Sequence, residues 1–325
     1  MERKGARRVK VAVFGTGAIG GYIGGLLALD GHEVHLIARG AHLDAIRERG
    51  LTLREVTDGE TTEERIVRAP ATNDPAEIGP TDLVLFGVKA FDTDEAGAAC
   101  APLVGPDTAV LTIQNGLDAP YRLAARYGAG RVLAGSTGYT ATITAPGIIA
   151  RFPPTNNLEF AELHGPPTER TRRVADALTR SGTAAVPQAD AKRVLYAKFL
   201  FLGPTAALTA ASRATYGEVF SHLETCALYD ALVDEVAAVG RAEGTDLPPE
   251  MIAARKAFVR RLSSTDFKSS LQRDFERGRR TELDDLLGAV VARGKRYGVG
   301  TPHFDTLHAL LSLARARGYR YSGDD

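Results

Sequence analysis

One lysine, Lys198, interrupts the apolar stretch YAKFLFLGPTAALTA. An ammonium taken out of water is costly unless something pairs with it or needs it, and burial lowers its pKa, so this lysine is a candidate proton donor. The alternative is a lysine at a helix edge whose head reaches water. Downstream, SSLQRDFERGRRTELDDLLG brings Ser270, Asp274 and Glu282. Glu282 opens a helical pattern, where the helix dipole or Arg279 favours a carboxylate irrespective of any reaction. Two further polar positions follow buried apolar runs: Lys89 in LVLFGVKAFDT, and Gln114-Asn115-Gly116 in VLTIQNGLD. An Asn-Gly pair is equally a common turn, and a lone lysine is ordinarily solvated. The chemistry depends on a fourth feature, the GxGxxG spacing of Gly15, Gly17 and Gly20 in VAVFGTGAIGG. Between a strand and a helix that spacing holds the pyrophosphate of a dinucleotide, which points to hydride exchange with a nicotinamide.

The elements that must position these groups are legible in the periodicity. Val9 to Phe14 is apolar and largely β-branched, as a buried parallel strand should be, and Ile19, Ile23, Leu26 and Leu27 then recur at helical intervals. Gly15 permits the tight turn, Gly17 removes a side chain where the pyrophosphate approaches, and Gly20 lets helix and strand pack closely. The first amides and the positive end of the helix dipole then face the anion. Glycines that serve packing alone are the alternative. The second strand, EVHLI, ends at Ala38-Arg39-Gly40, about 20 residues after the glycine turn, where enzymes using NAD commonly carry Asp or Glu for the ribose hydroxyls. Arg39 stands there instead, and a guanidinium pairs with a 2′-phosphate, which predicts NADP(H) over NAD(H). A solvated Arg39 is the alternative, and His42 is either an adenine neighbour or plain surface.

Strands at 9–14, 33–37, 82–87 and 108–113 alternate with helices at 18–30, 41–49 and 92–103. That alternation predicts an α/β fold with a Rossmann-type doubly wound parallel sheet, covered on both faces. Gly165-Pro166-Pro167 marks a turn before an amphipathic helix. From Ala189 the pattern changes to helical segments at 189–212, 217–243, 249–262 and 280–297, which predicts an all-helical C-terminal domain. The expected division is an NADP-binding domain over 1–187 and a helical substrate and catalytic domain over 188–325. Apolar stripes on 217–243 and 280–297 serve either internal packing or a homodimer interface.

At 325 residues and 44% hydrophobic composition, the chain suits two ordinary domains. Lysine plus arginine equals aspartate plus glutamate at 40 each, so charge gives no reason to expect nucleic acid or an anionic membrane, and a small-molecule substrate is expected. Cys100 and Cys226 lie in no CxxC or Cys/His cluster, so buried thiols are expected rather than a disulfide framework or a metal site. The basic leader MERKGARRVK precedes too short an apolar run for a signal peptide, and no later segment approaches about 18 uninterrupted apolar residues. A soluble cytoplasmic protein is expected.

Together GTGAIGG, ARG at 38–40, VKAFDT, QNG at 114–116, AKFLF around Lys198, and SSLQRD followed by RTELDDLLG resemble the ketopantoate reductase (2-dehydropantoate 2-reductase) family, over nearly the whole chain. The last pair, in this order and spacing, is far more specific than the glycine motif. The resemblance implies a Rossmann-type NADP domain, an all-helical domain and a place in pantothenate biosynthesis. It implies that Thr16, Ala18, Ile19, Lys89, Asn115 and Ala141 line the cofactor site beside Gly15, Gly17, Gly20 and Arg39. Lys198 would be the general acid, Glu282 would lie near the nicotinamide ribose and the substrate, Asn115 would also reach the substrate, and Ser270 would meet its carboxylate. The implied reaction is hydride transfer to a ketone carbon while Lys198 protonates the developing alkoxide.

The chain departs from its relatives on one helix face. Ketopantoate reductases usually carry asparagines four and eight positions after the lysine, where this sequence has Leu202 and Ala206, and a further asparagine falls at Tyr216. Losing a hydrogen-bonding residue in a closed site costs about 1–3 kcal/mol per bond and changes selectivity by more. The expected substrate is therefore a 2-oxo acid or related ketone more apolar than ketopantoate along the Leu202 and Ala206 wall. Pro204 removes a helical hydrogen bond between them and is expected to bend the helix. Two other classes share the motifs: a non-catalytic NADPH-binding sensor, which would need neither Lys198 nor Glu282, and a hydroxy-acid dehydrogenase working oxidatively.

Overall fold

Buried β-branched runs pair into the sheet that carries the glycine turn. The structure is a computed structural model describing residues 8–318; the start of the basic leader, at 1–7, lies outside the described residues. Contacts divide the chain into two units, Met1–Gln114 with Ala119–Val194, and Asn115–Asp118 with Leu195–Asp325.

The first unit runs β1 (Lys10–Phe14), α1 (Ala18–Leu29), β2 (Glu33–Ile37), α2 (Gly40–Arg49), β3 (Leu51–Thr57), β4 (Glu60–Val67), β5 (Ala71–Thr72), β6 (Leu83–Phe86), α3 (Thr93–Ala99), β7 (Ala109–Thr112) and α4 (Ala119–Tyr127). It continues through β8 (Val132–Thr137), β9 (Ala141–Ala145), β10 (Ile148–Arg151), β11 (Asn157–Glu162), α5 (Glu169–Arg180) and β12 (Ala184–Gln188). Its main sheet has the order β12-β11-β8-β7-β6-β1-β2-β5. From β5 to β8 every pairing is parallel, as the Rossmann reading expects. The sheet is nonetheless mixed, because β11 runs antiparallel to β8 and carries β12 parallel to itself. A parallel return needs a covering crossover, usually a helix, and between β8 and β11 the chain forms strands β9 and β10 instead.

Those strands belong to a second sheet, β4-β3-β10-β9, absent from the sequence expectations. Its signal was present: β3 and β4 flank Asp58-Gly59, both with positive φ, the conformation a two-residue hairpin turn requires. Helix α1 contacts both sheets, and its paired glycines explain how. A Cβ at Gly24 would lie 2.3 Å from Val13 Cγ2 of β1, whereas one at Gly21 would lie 2.5 Å from Ile149 Cδ1 of β10, and one at Gly25 2.8 Å from Leu53 Cδ1 of β3. Arg151 fastens the same region. It pairs with Glu55 at 2.5 Å, and its guanidinium lies 5.9 and 5.3 Å from the Tyr22 and Tyr139 ring centres.

The second unit is helical: α6 (Ala191–Ser212), α7 (Tyr216–Ser221), α8 (Leu223–Ala242), α9 (Pro249–Val259), α10 (Ser270–Glu276), α11 (Ala289–Tyr297) and α12 (Pro302–Ala316). Helix α6 passes the length and composition test for a membrane span, with mean hydropathy 1.4, but 72% of that stretch is buried in the protein, which marks a core helix. It is unbroken at Pro204, and the Leu200 carbonyl that the proline leaves without its helical donor accepts from the Tyr229 hydroxyl at 3.5 Å. The expected single helix over 217–243 is broken at His222, which is extended. There the side chains of Thr225 and Cys226 take the Val219 and Phe220 carbonyls at the end of α7. The segment expected at 280–297 becomes helical only after Glu282 and opens with a wide π turn over Asp284–Gly288.

The glycine contacts make a direct expectation. Gly24→Ala should lower the urea midpoint although alanine favours a helix by about 1 kcal/mol, because overpacking against Val13 costs about 1–3 kcal/mol. An unchanged or raised midpoint would show that the helix shifts freely on its sheet.

Candidate active site

In the first unit the strand order reverses at β1, which has β2 on one side and β6 on the other, and the turns after β1 and β6 meet. Such a reversal leaves a crevice at the carboxyl ends of the strands. Gly15 has φ +91°, and a Cβ there would lie 2.9 Å from the Val88 backbone nitrogen, so the position demands glycine twice over. Gly17 differs: a Cβ would meet nothing within 4 Å, and as N-cap of α1 it supplies no side-chain cap, which leaves the first helical amides available to an anion. A Cβ at Gly20 would lie 2.8 Å from the Gly15 carbonyl oxygen.

Around this turn, Thr16 is buried and its amide donates to the Ile37 carbonyl at 2.9 Å, while Ala18 and Ile19 sit half-buried in the first turn of α1. Arg39 is exposed just past β2, and its side chain makes no hydrogen bond or ion pair among the described residues. Lys89 is exposed after β6, and its carbonyl accepts from Asp92 N at 2.9 Å. Ala141 begins β9, half-buried against the core. His42 is not plain surface: Nδ1 accepts from Gly147 N at 3.0 Å, and burial lowers the ring's pKa. The open space at Gly17, the uncapped helix start and the unpaired arginine past β2 suit a dinucleotide carrying a 2′-phosphate.

The second unit holds the group that can move a proton. Lys198 Nζ donates to Asn115 Oδ1 at 2.9 Å. The residue keeps some accessible surface, yet protein surrounds its ammonium, and this desolvation pushes the pKa down to about 8 against the opposing charge of Glu282. Glu282 itself is 4% exposed, and its carbonyl accepts from Leu286 N at 2.9 Å. Gly116, with φ +99°, turns the chain away from Asn115 close to the Asp285 carbonyl. Sequence spacing alone could not bring Asn115, Lys198 and Glu282 together.

Along α6, Lys198, Leu202, Thr205 and Thr209 share one face at 100° per residue. Leu202 is half-buried, whereas Ala206 is 1% exposed. Thr205 meets Tyr216, whose phenol burial pushes up in pKa and whose ring stands edge-on to Phe201 at 5.9 Å. Thr209 donates to Ser269 Oγ at 2.7 Å, and Ser269 in turn caps α10 through Gln272 N. The cap is thus the buried serine, and the hydroxyl of the half-buried Ser270 makes no hydrogen bond among the described residues. Asp274 is buried on α10. Sequence reasoning did not assign Gln114, a buried amide that donates to Thr93 Oγ1 at 2.9 Å and accepts from Thr112 Oγ1 at 2.9 Å, fixing the end of β7. Among the described residues no group of three or more His, Cys, Asp or Glu could hold a metal.

The chain matches the descriptions "Ketopantoate reductase PanE/ApbA" over residues 11–164 and "Ketopantoate reductase PanE/ApbA C terminal" over residues 190–315. It is 32% identical to a 2-dehydropantoate 2-reductase of Mesorhizobium japonicum, across 95% of this chain and 99% of the relative. The crystal structure of a PanE/ApbA family ketopantoate reductase from Ralstonia eutropha JMP134 superimposes with a TM-score of 0.85 at 32% identity, covering 95% of this chain and 99% of the other. A D-mandelate dehydrogenase structure with NADH and anilino(oxo)acetate gives a TM-score of 0.85 at 25% identity, with the same coverage.

Lys198 should titrate near pH 8 when its acetylation rate is followed against pH by mass spectrometry. Removing the Glu282 charge takes away what favours the ammonium, so Glu282→Gln should move that midpoint lower. A midpoint near the ordinary lysine value of about 10.4, unmoved by Glu282→Gln, would contradict the geometry.

Proposed function

The chain belongs to the ketopantoate reductase PanE/ApbA family, and from that premise we propose that it reduces a 2-oxo acid with an apolar substituent, using NADPH, with Lys198 as the proton donor. The observation that carries the reading is the Lys198 ammonium, hydrogen-bonded to Asn115 at 2.9 Å and lowered toward neutrality. A general acid works best with a pKa near the operating pH, where it is protonated yet gives the proton up readily.

Bound NADPH supplies the hydride that the ketone carbon accepts. Lys198 holds a proton at Nζ and passes it to the carbonyl oxygen as negative charge builds there, leaving a neutral amine and the alcohol. Asn115 orients Nζ through Oδ1, and Glu282 keeps the ammonium charged until it is used. Ser270 offers its hydroxyl to the substrate carboxylate. In the proposed division of labour residues 1–187 hold the cofactor and 188–325 the substrate. Gly15, Thr16, Gly17, Ala18, Ile19 and Gly20 receive the pyrophosphate, Arg39 pairs with the 2′-phosphate, and Lys89 and Ala141 complete the first unit's share of the cofactor site. Two buried free thiols, Cys100 and Cys226, accord with a cytoplasmic enzyme.

The substituent beyond the ketone meets Leu202 and, behind it, Ala206, where the family's asparagines would donate hydrogen bonds. Support for an apolar group comes from the half-buried leucine on the Lys198 face and the aromatic neighbours Phe201 and Tyr216 beyond it. The D-mandelate dehydrogenase neighbour was solved with anilino(oxo)acetate, an oxo acid bearing an arylamino group. No observation favours the sensor or the oxidative reading.

Steady-state NADPH oxidation with ketopantoate, phenylglyoxylate and branched aliphatic 2-oxo acids tests this. The apolar acids should have the higher kcat/KM, and Lys198→Ala should cut kcat by about 10²–10⁴-fold. Leu202→Asn should move selectivity toward ketopantoate by about tenfold or more. Ketopantoate as the preferred substrate of the wild type would overturn the substrate class, and full activity in Lys198→Ala would overturn the mechanism. In the same assays Arg39→Ala should raise the KM for NADPH while leaving that for NADH nearly unchanged. Equal effects on both would remove the 2′-phosphate role.

A further inference from the structure

Asn115 can orient an ammonium only if its loop is itself held, and the Arg293 guanidinium reaches that loop. Arg293 of α11 donates from Nη2 to Asp118 Oδ1 at 2.6 Å and from Nη1 to Asp118 Oδ2 at 3.2 Å, a two-pronged grip on the Asn115–Asp118 segment. Its Nε donates to Glu243 Oε2 at 3.0 Å, at the end of α8, and that same oxygen accepts the Tyr196 hydroxyl at 2.6 Å. Tyr196 stands on α6 two positions before Lys198, and Arg293 lies on the helical segment that starts just after Glu282. We propose that Arg293 is the positioning residue of this site, one planar cation that sets the Asn115 loop, the Lys198 helix and the Glu282 segment in mutual register.

The chemistry favours this over a routine surface ion pair. Only 12% of the Arg293 side chain is exposed and 13% of that of Glu243, so neither charge is left to solvent. Burial works against the guanidinium's charge, but Asp118 and Glu243 outweigh it and hold its pKa above the ordinary arginine value. Burial and Glu243 raise the Tyr196 phenol well above its usual range, so it stays a donor. All three nitrogens of the fork point at defined acceptors. A lysine, a point charge on a flexible stem, reaches one carboxylate at a time and cannot reproduce the grip.

The inference rests on Lys198 being the proton donor, so its test carries one readout that needs no turnover. In the full-length protein, Arg293→Lys and Asp118→Asn are each made with and without Asn115→Ala, and thermal unfolding, kcat, both KM values and the pH profile of Lys198 acetylation are measured. Both variants should stay folded and lose about tenfold or more in kcat, the scale expected of a misplaced catalytic group. On Asn115→Ala they should add no further loss, because the effect runs through Asn115. The acetylation midpoint should fall, since Nζ loses an acceptor that favours its charged form while Glu282 remains beside it. Wild-type kcat and acetylation profile in a folded Arg293→Lys would overturn the proposal, as would an equal fold-loss on the Asn115→Ala background. Should Arg293→Lys fail to fold, Asp118→Asn decides by the same criteria. If the wild type reduces no 2-oxo acid, the proposed function fails while the acetylation midpoints still decide for or against Arg293.

Discussion

A positive charge held inside protein is the constraint around which the helical unit is arranged. Desolvation pushes the Lys198 ammonium toward its neutral form, and a tight carboxylate pair would lock it protonated. The protein sits between these limits. A neutral amide oxygen, Asn115 Oδ1, takes one hydrogen bond, Glu282 acts through its charge, and the balance leaves the lysine near pH 8. That balance requires residues distant in the sequence to meet with ångström accuracy, which is why the long core helix α6, the short loop after β7 and the segment opening into the π turn all converge on one ammonium.

The first unit answers a different constraint, the close approach of one backbone turn to another at the start of α1. Gly15 must be glycine because the turn after β6 crowds it, whereas a Cβ at Gly17 would meet nothing within 4 Å, the open space that the proposed pyrophosphate site uses. Neither would matter if α1 could move. Its paired glycines seat it against β1 on one side and against β3 and β10 on another, so the helix start is held by packing rather than by the turn itself. The second sheet, which bears no glycine-motif residue, thereby sets the position of the motif.

Much of this was legible in the chain, and the limits have physical causes. Short continuous apolar runs alternating with helical patterns, and the strand-turn-helix at Gly15, pointed to the parallel sheet because those signals are local. The second sheet was missed although Asp58-Gly59 is a strong hairpin turn, since its strands are half-exposed and β4 is charged along its length. The helix expected over 217–243 carries an uninterrupted apolar stripe, and only side-chain bonds from Thr225 and Cys226 to the Val219 and Phe220 carbonyls mark the break at His222. Lys198 was visible as a lone cation in an apolar run. Its partner Asn115 was one Asn-Gly turn among ordinary loops, and nothing local in Arg293, Asp118 or Glu243 distinguishes them from surface charges, because their meaning lies wholly in which distant residues they join.

The central claim is that Lys198 delivers the proton as the ketone takes up hydride, and chemical rescue tests it most directly. Lys198→Gly would be assayed with saturating NADPH and 2-oxo acid in the presence of primary ammonium ions of graded acidity. The account predicts that the lost turnover returns with added ammonium ion and that the rescued rate rises with the acid strength of the ion, as general-acid catalysis requires. Rescue independent of acid strength, or substantial turnover without any added ion, would contradict it.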